Sequence, residues 1–162
     1  TDNIDLVVKA WQAAVRDWPG APIVLDPRGR ASEDYKREKA QAFAVAEAAL
    51  ATSGTVSLEL AANDTPMVIA YDMSWMSRQV ISRMLKVDTV TLVNLVSETR
   101  VVPEFIGEKC RPEAIAPALL QVLDDPQAQY AAMRLTMERL GRGGEAPGLR
   151  AAKAVLDRLP RG

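Results

Sequence analysis

The sequence predicts an α/β domain built on a parallel sheet, and three observations carry that expectation. Short apolar runs rich in branched residues recur at residues 22–26 (PIVLD), 67–71 (MVIAY) and 89–93 (TVTLV). Strands buried on both faces read this way, because helices cover each side of a parallel sheet. Segments of helical periodicity, each about 10 to 15 residues long, separate these runs, as crossover connections require. The chain also has enough residues, 162, to bury one core, and its 48% hydrophobic content is that of a globular domain.

The elements follow in order. Apolar residues at Ile4, Val7, Val8, Trp11, Val15 and Trp18 keep a helical spacing over residues 3–18, and Pro19-Gly20 ends that helix. The strand at 22–26 comes next, then a polar connection, a helix over 35–47, and a strand of small residues at 48–53. A turn at Ser53-Gly54-Thr55 opens a helix over 55–62, and the turn NDTP at 63–66 leads into the strand at 67–71. A helix near 74–86 and the strand at 89–93 follow. Three helices close the chain, at 112–123, 127–140 and 147–158, separated by the DDPQ turn and the glycine-rich loop 141–148. About four strand candidates are visible where a doubly wound domain has roughly five or six. The sheet is therefore expected to be incomplete, with its first strands upstream.

Composition narrows the chemistry. Histidine is absent, which removes Ser-His-Asp and Cys-His catalysis and the commonest transition-metal ligand. Cys110 is the single cysteine, so no internal disulfide or cysteine zinc cluster forms, and a reducing cytoplasm fits. Twenty basic residues balance 21 acidic ones, with no clustered basic face for nucleic acid. Every apolar run ends well short of the roughly 20 residues a membrane-spanning helix needs.

In an open parallel sheet, ligands bind beyond the carboxyl ends of the strands. Ser53-Gly54-Thr55 falls at such an end, where the following helix offers unpaired N–H groups and a positive dipole end to an anion. Gly54 lets a phosphate approach the backbone closely. Thr55 and Glu59, four residues apart, share a helix face, and Val56, Leu58 and Leu60 are left to pack inward. A carboxylate one turn above a phosphate suits ribose hydroxyls better than phosphate, because like charges repel. A helix cap followed by a solvent-facing glutamate explains the same residues. Asn94, expected just past the strand at 89–93, reads either as an amide aimed at a base or sugar or as an ordinary turn asparagine. Pro103-Glu104 reads as a helix start, with Glu104 near the favourable dipole end. As a helix, residues 73–86 (MSWMSRQVISRMLK) read first as a cover for the sheet with a solvated basic face, and otherwise as suited to an anionic membrane surface.

Residues 52–71 (TSGTVSLELAANDTPMVIAY), then LVNL at 92–95, VVPEF at 101–105 and CRPEAIAPALL at 110–120 stand in order and at family-like spacing. Over about residues 40–145 the chain resembles the C-terminal domain of bacterial lipid-A-disaccharide synthases. It departs from the usual pattern at Val93, where proline is common, at Gly107, where glutamine is common, and at Asn63-Asp64, where Ala-Gly is common. The resemblance implies a Rossmann-like sheet with flanking helices, the C-terminal half of a two-domain B-type glycosyltransferase fold. On it, residues 1–140 would form the partial donor-binding domain, and 141–162 a linker and helix that cross to another domain or subunit.

The resemblance further implies an inverting hexosyltransferase that moves a diacylglucosamine from its UDP donor to diacylglucosamine 1-phosphate, giving lipid A disaccharide and UDP. Ser53, Gly54, Thr55 and Val56 would line the diphosphate turn and Glu59 would contact the ribose, with Asn94 and Glu104 in the donor-side pocket. No cofactor, metal or catalytic residue is implied for this chain, because the family's general base is an aspartate of the N-terminal acceptor domain. The fragment is expected to be inactive alone. Implied partners are that N-terminal domain, a second copy in a homodimer, and the cytoplasmic surface of the inner membrane. Other UDP-sugar enzymes of the same fold (a peptidoglycan transferase, an epimerase) and a non-catalytic nucleotide-binding module are the alternatives.

Overall fold

The structure, a computed structural model, describes residues 9, 12–13, 23–25, 32–52, 54–72, 88–145 and 147–158. In chain order the elements are α1 (Ser32–Val45), β1 (Ala49–Ala51), α2 (Val56–Ala62), β2 (Met67–Tyr71), α3 (Leu92–Ser97) and β3 (Glu104–Ile106). A 3-10 turn (Gly107–Lys109), α4 (Pro112–Asp124), α5 (Gln127–Arg139) and α6 (Pro147–Leu156) complete the order. The three strands pair in the order β1-β2-β3, all parallel.

Alternation along β2 sorts the molecule into layers, since successive side chains in a strand point to opposite faces. Met67 and Ile69 pack with Leu60 and Ala61 of α2, Val93 of α3 and Ala132, Met133 and Met137 of α5. Val68 and Ala70 point the other way, onto Ile115, Ala116, Leu119 and Val122 of α4 and onto Cys110. Four consecutive residues of β2, Met67 to Ala70, are at most 1% exposed, which is why the run carries no polar alternation. Pro112 opens α4 at a position where its missing N–H costs nothing, and Glu113 stands in the positive first turn.

Two buried amide side chains pin the edges of this core. Gln129 of α5 accepts from the Met67 N–H through Oε1 (2.8 Å) and donates to the Met67 carbonyl through Nε2 (2.9 Å). The first residue of the central strand is thus satisfied by a helix 62 residues away. Replacing Gln129 with leucine should lower the unfolding free energy by about 2–4 kcal/mol, because two buried backbone groups lose their partners. Urea unfolding reads this directly, and a change below about 1 kcal/mol would show that water substitutes for the amide.

The element expectations at 35–47, 48–53, 55–62, 67–71, 112–123, 127–140 and 147–158 are met, with ends that shift by a few residues. Three others are corrected. Residues 23–25 form no strand, and Ile23 and Val24 are 57% and 50% exposed. Residues 89–91 are irregular and 92–97 are helical, so the run TVTLV is not a strand. Pro103-Glu104 does not start a helix; Glu104 begins β3. In the expected N-terminal helix only Lys9, Gln12 and Ala13 are described, all helical, and the expected helix at 74–86 lies outside the described residues.

The reason TVTLV departs from its β propensity is visible in its hydrogen bonds. Val93, Asn94 and Ser97 are buried at helical spacing, and the Ser97 hydroxyl donates back to the Val93 carbonyl (2.6 Å). Glu98 then takes a left-handed conformation (φ 60°) and closes the helix. Arg139 of α5 donates to the Val96 carbonyl (2.5 Å) and reaches Glu98, which ties the C-terminal end of α3 to its neighbour. These tertiary partners outweigh a local preference worth at most ~1 kcal/mol per residue.

Candidate functional site

The carboxyl end of β1 leads straight into the turn singled out in the sequence. Gly54 adopts φ +129°, a conformation that only glycine takes without strain, and a side chain added there would meet nothing within 4 Å among the described residues. The backbone is therefore bare at this point and open to solvent. Its carbonyl accepts from the Ser57 hydroxyl (2.9 Å) and Ser57 N–H (3.3 Å), which anchors the turn to the first turn of α2. Thr55 caps α2 through its backbone, with no capping hydrogen bond from its hydroxyl, and both Gly54 and Thr55 are exposed. Val56 is half-buried against the core, with Leu58, while Leu60 is fully buried. The inward set expected from the sequence is met. Ser53 lies outside the described residues.

Glu59 stands one turn above Thr55 with its side chain 42% exposed. Its Oε2 is 2.5 Å from the Nζ of Lys39, which crosses from α1. Lys39 is 21% exposed and lies 5.8 Å from the centre of the Tyr35 ring. Its position had no signal in the sequence, since the two residues are on different helices.

Asn94 is not at a strand end. It sits inside α3, 1% exposed, and its amide is spent on the protein. Nδ2 donates to the Val102 carbonyl (2.9 Å) and to Thr89 Oγ1 (3.2 Å), and Oδ1 accepts from the Val102 N–H (3.0 Å). Glu104 is likewise engaged: its Oε1 accepts from Thr89 Oγ1 (2.7 Å), Val90 N–H (3.0 Å) and Thr91 N–H (2.6 Å). Both residues therefore shape the 89–91 segment that enters α3. In that segment Thr91 Oγ1 is buried and has no hydrogen-bond partner among the described residues. Asp88, just before it, is gripped through both oxygens by Arg100, whose side-chain hydrogen bonds hold the Asp88 carboxyl below its ordinary pKa. A depressed folded-state value means the pair's contribution is present above the usual carboxylate range and is lost as the pH falls through the folded value. The contribution is small, because both groups are exposed.

Sheet register relates the separate pieces. Ala51 pairs with Ile69 and Ile69 with Glu104, so the end of β1, the middle of β2 and the start of β3 lie in one row. Ala51 and Ile69 face the α2 side of the sheet. Glu104 is thus level with Ala51, the last residue of β1, and two strand spacings away, roughly 10 Å. Among the described residues there is no group of three or more His, Cys, Asp or Glu that could hold a metal ion, and no helix long and apolar enough to cross a membrane.

A parallel sheet covered by helices on both faces, with a bare glycine turn past the end of a strand, defines a Rossmann-like α/β unit. Residues 32–155 match the family model described as lipid-A-disaccharide synthetase. The chain is 65% identical over 146 residues to the lipid-A-disaccharide synthase of Ruegeria pomeroyi, covering 90% of this chain and 36% of that protein. It is 45% identical to that of Paramagnetospirillum magneticum over 99% of this chain and 40% of the relative, and 39% identical to that of Bradyrhizobium diazoefficiens over 93% and 38%. This chain belongs to the lipid-A-disaccharide synthetase family. It spans between 36% and 40% of the length of these relatives.

Proposed function

We infer that the chain supplies the donor-binding part of a glycosyltransferase that forms lipid A disaccharide from a UDP-diacylglucosamine donor and a diacylglucosamine 1-phosphate acceptor, with inversion at the anomeric carbon. One observation carries this reading: the bare backbone at Gly54, at φ +129° with open space around it, at the mouth of a helix that follows a parallel strand. The names of the relatives give the product, lipid A disaccharide, and on this reading the turn would receive the leaving group.

The chemistry suits such a place. As the sugar–oxygen bond breaks, the diphosphate gains negative charge. Backbone N–H groups at a helix start stabilise that charge by fixed dipoles, without proton transfer. Ser53, Gly54, Thr55 and Val56 would line the diphosphate, and the exposed face of Glu59 would accept hydrogen bonds from the ribose hydroxyls. Asn94 and Glu104 would contribute by holding the 89–91 segment at the pocket's edge. The acceptor hydroxyl needs a general base, which this reading places in an N-terminal acceptor domain. Transfer by the isolated chain is accordingly not expected.

The C-terminal segment fits a role beyond this unit. Leu149, Val155 and Leu156 of α6 are 51%, 62% and 64% exposed, and the helix is held to the rest through Arg150 donating to the Leu140 carbonyl (2.9 Å). On this reading α6 docks on another domain or on a second copy, and the protein works at the cytoplasmic surface of the inner membrane.

Kinetics on the full-length protein test the proposal. Glu59→Ala should raise the KM for the UDP-sugar donor about tenfold, the loss expected when hydrogen bonds to a charged group disappear, and leave the acceptor KM unchanged. An unaltered donor KM would return Glu59 to the solvent.

A further inference from the structure

α1 carries three cations, Lys36, Arg37 and Lys39, and they behave differently. Lys36 and Arg37 pair with Glu33 and Asp34 three residues back on their own helix, all four side chains well exposed. Lys39 leaves its helix. Its stem is mostly buried, its ammonium lies beside the Tyr35 ring, and it meets Glu59 on α2. A buried stem with a fixed ammonium has lost its rotamer freedom already, so little further entropy is lost when the pair forms. The surrounding frame is equally fixed. The Thr65 hydroxyl donates to the Phe43 carbonyl at the end of α1 (3.1 Å), and α1 runs through three residues into β1 and the glycine turn.

Glu59 is engaged through Oε2, and Oε1 has no hydrogen-bond partner among the described residues. Among the described residues, one carboxylate oxygen is therefore held and the other has no partner. An unpaired carboxylate one helical turn above a diphosphate would repel it. With Lys39 attached, Glu59 keeps its acceptor atoms but presents no net charge at that distance, since opposite charges in contact cancel farther away.

We propose that Lys39 is a positioning residue for the nucleotide: it orients Glu59 through Oε2 so that Oε1 accepts from the ribose, and it cancels the repulsion between Glu59 and the diphosphate. This rests on the donor reading of the glycine turn given above. Lys39 itself touches neither the sugar nor the reacting atoms, so it acts on donor binding and leaves the chemical step alone.

The test is a double-mutant cycle in the full-length protein with a UDP-sugar donor. Lys39→Met should raise the donor KM by about five- to tenfold, the scale of one charge-assisted contact, with kcat within about twofold. Lys39→Arg keeps the positive charge that pairs with Oε2 and should restore most of the loss. In a Glu59→Gln background, Lys39→Met should add little, because both changes remove one coupled device. Lys39→Gln, shorter and polar, serves if Lys39→Met does not fold, and a thermal melt of each variant separates lost stability from lost affinity. A raised KM for Glu59→Gln beside an unchanged KM for both Lys39 variants overturns this proposal alone. Independent, multiplying effects of the two residues also overturn it. An unchanged KM for Glu59→Gln overturns the donor reading of Glu59 and takes this proposal with it.

Discussion

Gly54→Ala is expected to lower the affinity of the full-length protein for UDP by about tenfold or more if the donor reading holds, and to cost about 1–3 kcal/mol of stability. Both effects come from one methyl group. At φ +129° an L-residue is strained, although the new Cβ would meet no atom of the described residues within 4 Å. The space it enters is the space through which a diphosphate would approach the backbone. Strain acts on folding, whereas occlusion acts on the ligand, so two measurements separate them. Urea unfolding reads the first and calorimetric titration with UDP reads the second. Reduced stability with unaltered UDP affinity would mean that no phosphate sits on this turn. Relief of strain by rearranging the turn would still displace the Gly54 carbonyl, which holds both the hydroxyl and the N–H of Ser57.

Asn94→Ala should cost about 3 kcal/mol of unfolding free energy, among the larger losses for a single polar side chain. The amide satisfies the N–H and the carbonyl of Val102, which is itself 2% exposed, and it positions Thr89. Alanine leaves these groups buried without partners, and there is no room in a close-packed core for a compensating shift. Asn94→Asp keeps the shape but loses the donor, so it should be destabilising as well. Donor KM should change only as far as the 89–91 segment loosens. A variant that is as stable as the parent yet binds donor poorly would show the amide to be a ligand contact instead. Chemical denaturation beside donor kinetics decides the matter.

The glycine turn was legible in the sequence because its signal is local. Glycine between Ser53 and Thr55, after small apolar residues and before Val56 and Leu60, needs only chain neighbours to make sense, and α2 and β2 formed as their patterns said. Asn94 and Glu104 were legible as positions but not as roles. Their partners, Val102 for one and residues 89–91 for the other, are brought near by folding. β3 was missed because Pro103 and a charged Glu104 suggest a helix start. In the sheet, Pro103 is used only as an acceptor, its carbonyl taking the Ile69 N–H (2.9 Å), so its missing donor goes unnoticed.

By itself the sequence determined the class of architecture, the order of most helices, the glycine turn and the absence of histidine chemistry. All of these follow from composition or from contacts within about four residues along the chain. Tertiary structure decided the rest: that TVTLV forms an irregular segment entering a helix instead of a strand, that EFI joins the sheet, and that Lys39 meets Glu59. The physical reason is common to all three. Each depends on a polar or charged group meeting a partner from a distant part of the chain, which a local pattern does not encode.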